Sequence, residues 1–341
     1  MKTWDELTRK GQILRARQLG VKALDHYDLD VVRVRLVGAF TNLALRADCR
    51  DGKSYLVRVA SPGWRTDNDI QSEMIWLEAL KKTDIGAPEP VRTRDGRWQV
   101  VQVLDGVPEP RRVVVQSWLR GHSMEKVENI TLKNLFKMGE LFAKLHAFSA
   151  DFVPSEGFTT RKMDHYLARD EERKLFSKEN IGQFPDGSLP VFQQVNEKVL
   201  AAFEDCYAEY DGLRVIHNDL WHGNIKIYRG HLYPLDFEDT IWGYPVQDMA
   251  MAMLDLMEEV VPGDYEPLLG QFRAGYETRL NWPERYSGEM DLFQAGRMLW
   301  VANYVARFQP EYFGAHIEKV QPMLERFLRT GKLRRFNPPV K

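Results

Sequence analysis

Cysteine is scarce in this 341-residue chain: Cys49 and Cys206 are too few for a disulfide framework and too far apart for a C-x-x-C pair. Reduced thiols in a cytosolic compartment are the reading that follows. Long apolar runs are missing too, since none approaches the roughly eighteen residues that a membrane span requires. The richest stretch, Met249 to Met257, is broken by Asp255. The opening residues MKTWDELTRK hold no apolar core of a secretory signal, so the expectation is a cytoplasmic protein. Charge of one sign is also lacking. A formal net charge of -2 gives no long-range pull on nucleic acid or on an anionic membrane, and neither is expected as a partner. No internal repeat or low-complexity segment stands out. What is present is a chain with 44% hydrophobic residues, long enough for a sizeable core and for two lobes.

The first third of the chain reads as strands around one helix. After two short helical patterns within residues 1–30, Val31 to Val37 alternates like a strand. Leu43 to Cys49 and Ser54 to Ala60 follow, separated by the hairpin turn signal Asp51-Gly52. Asp69 to Lys82 has helical periodicity, and Glu73 falls inside its apolar stripe. A buried carboxylate is costly unless it is paired. The strand Tyr55 to Val59 carries the matching oddity, Arg58 among alternating apolar residues. Pairing of Arg58 with Glu73 resolves both. Asp84 to Pro90 reads as a connector, then Trp98 to Leu104 and Arg112 to Leu119 read as two more strands.

From Thr131 the pattern turns helical and ends near His146, which reads as a packed histidine at a helix end. Residues 151–190 are charged and rich in turn formers, and read as an inserted helical hairpin with surface loops. Pro190 to Tyr210, Leu254 to Val261, Tyr265 to Leu280 and Gly288 to Phe308 read as further helices. The basic end, Lys332 to Lys341, reads as a frayed tail.

The densest chemistry lies in Val215 to Asp236, VIHNDLWHGNIKIYRGHLYPLD. A strand-like start leads into His217-Asn218-Asp219 and a polar loop that ends at Asn224. Two β-rich runs then flank Arg229-Gly230 as a hairpin, which brings Asn224 and Asp236 toward each other, with facing side chains only in the right register. An oxygen donor at each end, with Asp219 beside them, suits phosphoryl transfer. That reaction needs a group aligned on the attacking hydroxyl and oxygen ligands for Mg2+ at the ATP phosphates. His217 and His222 flank the loop without zinc-ligand spacing, and His217 reads as a structural support.

The run His217-Asn218-Asp219-Leu220-Trp221-His222-Gly223-Asn224 followed by Asp236-Phe237-Glu238 resembles the kinase catalytic loop H-x-D-x-x-x-x-N and its D-F-x metal motif. With Glu where protein kinases carry Gly, it is similar to the aminoglycoside phosphotransferase and choline kinase-like superfamily, which includes type II homoserine kinases. The resemblance implies an α+β, bilobal, protein-kinase-like fold. A small N-terminal lobe over residues 1–115, with a five-stranded antiparallel sheet plus a helix, would bind ATP. A larger, mostly helical lobe over 116–341 would carry catalysis and the acceptor. It further implies Asp219 as the catalytic base and Asn224 and Asp236 as Mg2+ ligands. Arg58, held by Glu73, would meet the α/β-phosphates, with Arg where the family's Lys is usual.

The resemblance also assigns Gly38 to Asn42 to the loop over the phosphates. With a single glycine there, Thr41 and Asn42 would supply side-chain hydrogen bonds. The backbone from Gln116 to Trp118 would be the hinge that meets adenine. Asp248 would brace the catalytic loop as a helix N-cap. The implied activity is ATP- and Mg2+-dependent transfer to the hydroxyl of a small molecule such as an amino alcohol, homoserine, a sugar or an aminoglycoside. Acidic and aromatic residues after the motif suit a cationic acceptor: Glu238, Asp239 and Trp242 first, then Asp255, Glu258, Glu259, Trp300 and Tyr304. Two other readings compete, a non-catalytic nucleotide-binding regulator of the same fold and a Ser/Thr protein kinase. The sequence leaves oligomeric state open.

Overall fold

The computed structural model describes residues 2–39, 41–209, 211–260 and 264–333. Phe40 of the short glycine-poor loop, Val261 at an expected helix end, and residues 334–341 of the basic tail therefore lie outside the described residues. The chain divides into two compact units. The smaller takes Met1–His122, Pro154–Thr160 and Tyr233–Glu238, and the larger takes Ser123–Val153, Arg161–Leu232 and Asp239–Lys341.

The smaller unit is an antiparallel sheet with two helices, α1 Arg9–Ala23 and α2 Asp67–Leu80. Its strands are β1 Val31–Ala39, β2 Leu43–Cys49, β3 Ser54–Val59, β4 Pro90–Val91, β5 Gln99–Gln102 and β6 Arg111–Ser117. The order is β1-β2-β3-β6-β4, with β5 also on β6. Six strands replace the expected five, because β4 is a two-residue strand at the end of the stretch read as a connector, too short for any alternation. The β2–β3 hairpin turns at Gly52 with φ 81°, a left-handed conformation that glycine adopts without steric cost. Helix α1 Arg9–Ala23 supplies Leu19 and Ala23 to an apolar cluster with Leu45, Val57, Val113 and Val115 of the sheet. Gly20 lets it approach, since a Cβ there would stand 2.6 Å from Leu45 Cδ1. Helix α2 Asp67–Leu80 opens with a capping box between Thr66 and Asp69 and buries Ile70, Met74, Trp76, Leu77 and Leu80. Glu73 is buried among them, 2% exposed.

The larger unit is mostly helical: α3 Leu132–Ala150, α4 Lys178–Ile181, α5 Ser188–Glu209, α6 Pro245–Glu259, α7 Tyr265–Tyr276, α8 Glu289–Phe308 and α9 Phe313–Thr330. β7 His122–Ser123 sits at its entry. β8 Arg214–Ile216 pairs antiparallel with β11 Ile241–Gly243. Between them β9 Ile225–Tyr228 and β10 His231–Pro234 form the hairpin at Arg229-Gly230, with φ of 51° and 78°. Through β10 the chain leaves this unit after Leu232 and returns at Asp239. Helices α3 and α7 pack tightly against each other. A Cβ at Gly139 would stand 1.9 Å from the Phe272 carbonyl oxygen, and one at Gly275 would stand 1.9 Å from that of Phe136. No helix among the described residues is long and apolar enough to cross a membrane.

Three local expectations are corrected. Residues 151–190 form no helical hairpin: the described helical turns there are the four-residue α4 and the start of α5. The segment is not a surface excursion either, because Tyr166, Leu167 and Leu175 are buried. Helix α6 begins at Pro245, not Leu254, with Tyr244 at its N-cap, so Asp248 lies within the first turns instead of capping them. Helix α9 has no counterpart among the expected helices. Pro322 lies inside it without breaking it, and Phe313, Ile317, Val320, Leu324 and Phe327 form its buried stripe.

Candidate active site

In the smaller unit the site residues gather around Arg58. The β3 register sets Arg58 beside Ala44 and Val114 in the sheet, with its side chain turned to α2. Nη1 donates to Glu73 Oε1 at 2.9 Å, and Nη2 donates to Glu73 Oε2, so the two buried charges meet as a two-pronged pair. Gln116, on the neighbouring strand β6, donates its side-chain amide to the same Glu73 Oε1 at 3.1 Å. Arg58 Nη1 also lies 3.7 Å from Asp236 Oδ1 and 3.9 Å from Glu238 Oε2. Burial works against the guanidinium's charge, but Glu73, Glu238 and Asp236 outweigh it and hold Arg58 protonated.

Glu238 is tied into this cluster. Its carboxylate accepts from Asn42 Nδ2 at 2.6 Å and from the Trp64 indole at 3.2 Å, and its carbonyl accepts from Arg65. Asn42 Oδ1 in turn accepts the amide of Ser61. Of the residues expected at the nucleotide, Thr41 lies half-buried in the bend between β1 and β2. Trp118 packs its ring under the Arg46 guanidinium, 5.0 Å away. The amides of Ser117 and Trp118 donate to the carbonyls of Glu89 and Ser54.

In the larger unit the loop over residues 217–224 is built on one buried carboxylate. β8 delivers the chain to His217, and Asn218 turns it with φ 63°, a left-handed conformation that asparagine tolerates. Asp248 of α6 accepts the amides of His217 at 3.2 Å and Asn218 at 2.6 Å. Its Oδ2 also lies 3.0 Å from His146 Nε2, while His146 Nδ1 lies 3.1 Å from the Tyr276 hydroxyl. Three helices, α3, α6 and α7, thus fix the turn before Asp219. The bracing role of Asp248 is present although the N-cap is not, and His146 is packed as expected.

Asp219 is held on both carboxylate oxygens. Asn224, brought back by the helical turn His222–Asn224, donates Nδ2 to Asp219 Oδ2 at 2.9 Å and to the Asp219 carbonyl at 2.8 Å. Arg297 of α8 reaches Oδ1 at 3.2 Å. Gly223 permits the turn, since a Cβ there would sit 2.2 Å from the Trp221 ring. Beyond it, His222 Nε2 lies 2.6 Å from Glu259 Oε2. Burial, followed by the negative fields of Glu258 and Glu259, pushes the Asp255 carboxyl up to about 6, against the opposing pull of Arg297 and His222. Asp239 lies 3.4 Å from Arg169 Nε, and the backbone of Trp242 bonds to Arg161 and Met163, so both face the segment after residue 160.

The sequence reading missed Arg297. One cation on a helix, 78 residues from its partner, carries no local sign of what it meets. The buried role of Gln116 escaped for the same reason.

Each unit, taken by itself, offers hard oxygen donors of the kind Mg2+ takes. Three carboxylates, those of Glu73, Asp236 and Glu238, face the guanidinium of Arg58. The Asn224 amide, anchored through its nitrogen, turns its oxygen elsewhere as a hard donor. Among the described residues no group of three or more His, Cys, Asp or Glu forms a complete metal cage. Mg2+ at a nucleotide needs none, because phosphate and water supply most of its ligands.

The phosphotransferase enzyme family model matches residues 34–285. An amicoumacin kinase of Bacillus subtilis (strain 168) is 22% identical over 272 residues, which is 78% of this chain and 77% of that protein. Among solved structures, an amicoumacin kinase in complex with AMP-PNP, Ca2+ and Ami superposes with a TM-score of 0.76 at 15% identity, covering 97% of this chain and 98% of the other. A microcompartment-associated aminopropanol kinase gives 0.74 at 20% identity, covering 93% and 99%. With the family model spanning most of its length, the chain belongs to the phosphotransferase enzyme family.

Proposed function

We propose that this phosphotransferase moves the γ-phosphoryl group of ATP, with Mg2+, to the hydroxyl of a small amine-bearing alcohol. Asp219 aligns that hydroxyl and accepts its proton. Asn224 and Asp236 hold Mg2+, which when bound neutralises charge on the phosphate oxygens. Arg58, fixed by Glu73 and through it by Gln116, meets the α/β-phosphates, and Thr41 and Asn42 lie over them. The adenine lies along the chain at Gln116 to Trp118. With the amides of Ser117 and Trp118 already donated, it takes its partners there from carbonyl oxygens and from backbone beyond Trp118.

The observation that carries this reading is the Asn224 amide bonded to both the carbonyl and the carboxylate of Asp219. That contact fixes a base and an oxygen donor in one turn of chain, the arrangement an in-line displacement needs. For the acceptor, support comes from the acidic and aromatic groups near Asp219. Asp255 and Glu259 lie with His222 and Arg297, and Trp300 stacks on Tyr304 at 5.6 Å. Carboxylates and aromatic faces both favour an ammonium group. The similarity to an aminopropanol kinase points to the same class.

The test is ATP consumption with Mg2+ against 1-aminopropan-2-ol, choline, homoserine, kanamycin and a generic protein substrate. The reading predicts turnover with an amino alcohol. Labelling of the protein substrate alone, or nucleotide binding without any turnover, would refute it.

A further inference from the structure

We propose that Arg297 is a positioning residue for Asp219, and that Trp300 and Glu171 hold Arg297 in place. The inference rests on the assignment of Asp219 as the group that aligns the acceptor hydroxyl.

Asn224 restrains the Oδ2 side of Asp219, and a contact at one oxygen does not by itself set the plane of a carboxylate. The bond from Arg297 Nη2 to Oδ1, 3.2 Å long, is an attachment from a different element at the other oxygen. Together the two bonds act on the carboxylate from two different elements and restrain its plane. The pair is neither buried nor fully solvated, with side chains 22% and 27% exposed, so a substrate can reach it.

A long guanidinium side chain holds such a position only if it is itself held. The Arg297 guanidinium lies over the Trp300 ring, 4.1 Å from its centroid. The Trp300 indole N–H donates to Glu171 Oε1 at 3.2 Å, and Glu171 Oε2 accepts the Arg169 amide at 2.7 Å. Arg169 donates to the Thr240 carbonyl at 2.9 Å. One turn along α8, Asn303 accepts the amides of Lys174 and Leu175 and donates to the Glu172 carbonyl. The segment between α3 and α5 is therefore bonded along α8 on the face that presents Arg297. Through those bonds it sets the aim of the base.

The experiment uses Arg297→Met, Arg297→Ala, Arg297→Lys, Trp300→Phe and the reference Asp219→Ala in the full chain. Crystal structures of wild type and Arg297→Met are compared first. The proposal predicts a rotated or multiply occupied Asp219 carboxylate in the variant with Asn224 unmoved, and an unchanged carboxylate overturns it. Turnover is then followed as loss of labelled Mg-ATP, with 1-aminopropan-2-ol and with water alone. Arg297→Met should lower kcat about 10- to 100-fold, the scale on which a displacement of about 1 Å acts, with the KM for ATP unchanged. Arg297→Lys should recover part of the loss, added guanidinium should rescue Arg297→Ala, and Trp300→Phe should fall between. A raised KM for ATP with no rescue marks a merely structural role and overturns the proposal. An inactive Asp219→Ala beside a fully active Arg297→Met overturns this inference alone. A fully active Asp219→Ala overturns the reading beneath it as well.

Discussion

Asn224 donates from one side-chain nitrogen to two oxygens of Asp219, its carbonyl at 2.8 Å and its carboxylate at 2.9 Å. The bond ties together the two ends of a six-residue loop and leaves the amide oxygen of Asn224 to face another partner. Asn224→Ala removes both functions. We expect it to raise the Mg2+ concentration needed for half-maximal turnover about tenfold, the loss typical of removing one metal contact. Turnover measured against Mg2+ concentration checks this, and an unchanged half-saturation point would remove Asn224 from the metal site.

The Arg58–Glu73 pair separates stability from nucleotide binding. Arg58→Met leaves the Glu73 carboxylate buried without its cation and should cost about 3–5 kcal/mol of folding stability. Removing both charges, in Arg58→Met with Glu73→Leu, should restore most of that stability. Nucleotide affinity should stay weak in both variants, because no guanidinium remains at position 58 for the phosphates. Denaturant unfolding and calorimetric titration with AMP-PNP check the two halves. Full affinity in the stable double variant would reduce the pair to a structural one.

Asp255 sets a pH dependence. Its carboxyl is pushed up to about 6 from 3.8, foremost by burial. As pH falls through about 6 it takes a proton and loses its charge, so the KM for an amine acceptor should rise between pH 7 and pH 5. Asp255→Asn should show a high KM without that rise. The stability effect has the opposite sense: the folded chain holds this proton where the unfolded chain has lost it. Its contribution is therefore full below about 4 and lost as pH rises through about 6. Asp255→Asn should flatten stability across that window, as measured by thermal unfolding at pH 4, 5, 6 and 7.

Gly139 couples the fold to the loop over residues 217–224. Helix α3 carries His146 and α7 carries Tyr276, the two groups lined up behind Asp248. A methyl group at position 139 cannot fit 1.9 Å from the Phe272 carbonyl, so the helices must separate. Gly139→Ala should cost on the order of 3 kcal/mol and lower turnover along with stability. A variant of normal Tm would contradict this account of the α3–α7 contact.

Much of this was legible in the chain because its signals are local or costly. The alternation of β2 and β3, the turn at Gly52 and the loop from His217 to Asn224 each announce themselves within a few residues. Arg58 and Glu73 stood out because a charge on an apolar face demands a partner, and they found each other. What stayed hidden lacks any such sign. Pro90–Val91 is too short to have a period. The segment after Asp151 is polar like a surface loop, and its order comes from distant bonds to Asn303 and Trp300. The family resemblance implies that Asp248 starts a helix as its N-cap. Here Tyr244 starts the helix earlier, and Asp248 serves the loop backbone instead.

The claim that Asp219, Asn224 and Asp236 serve one Mg–nucleotide centre is tested most directly by a crystal structure with Mg2+ and AMP-PNP. The account predicts a single metal bound by the Asn224 amide oxygen and the Asp236 carboxylate at about 2.0–2.1 Å, with the γ-phosphate facing Asp219. A nucleotide bound with its metal touching neither residue would contradict it.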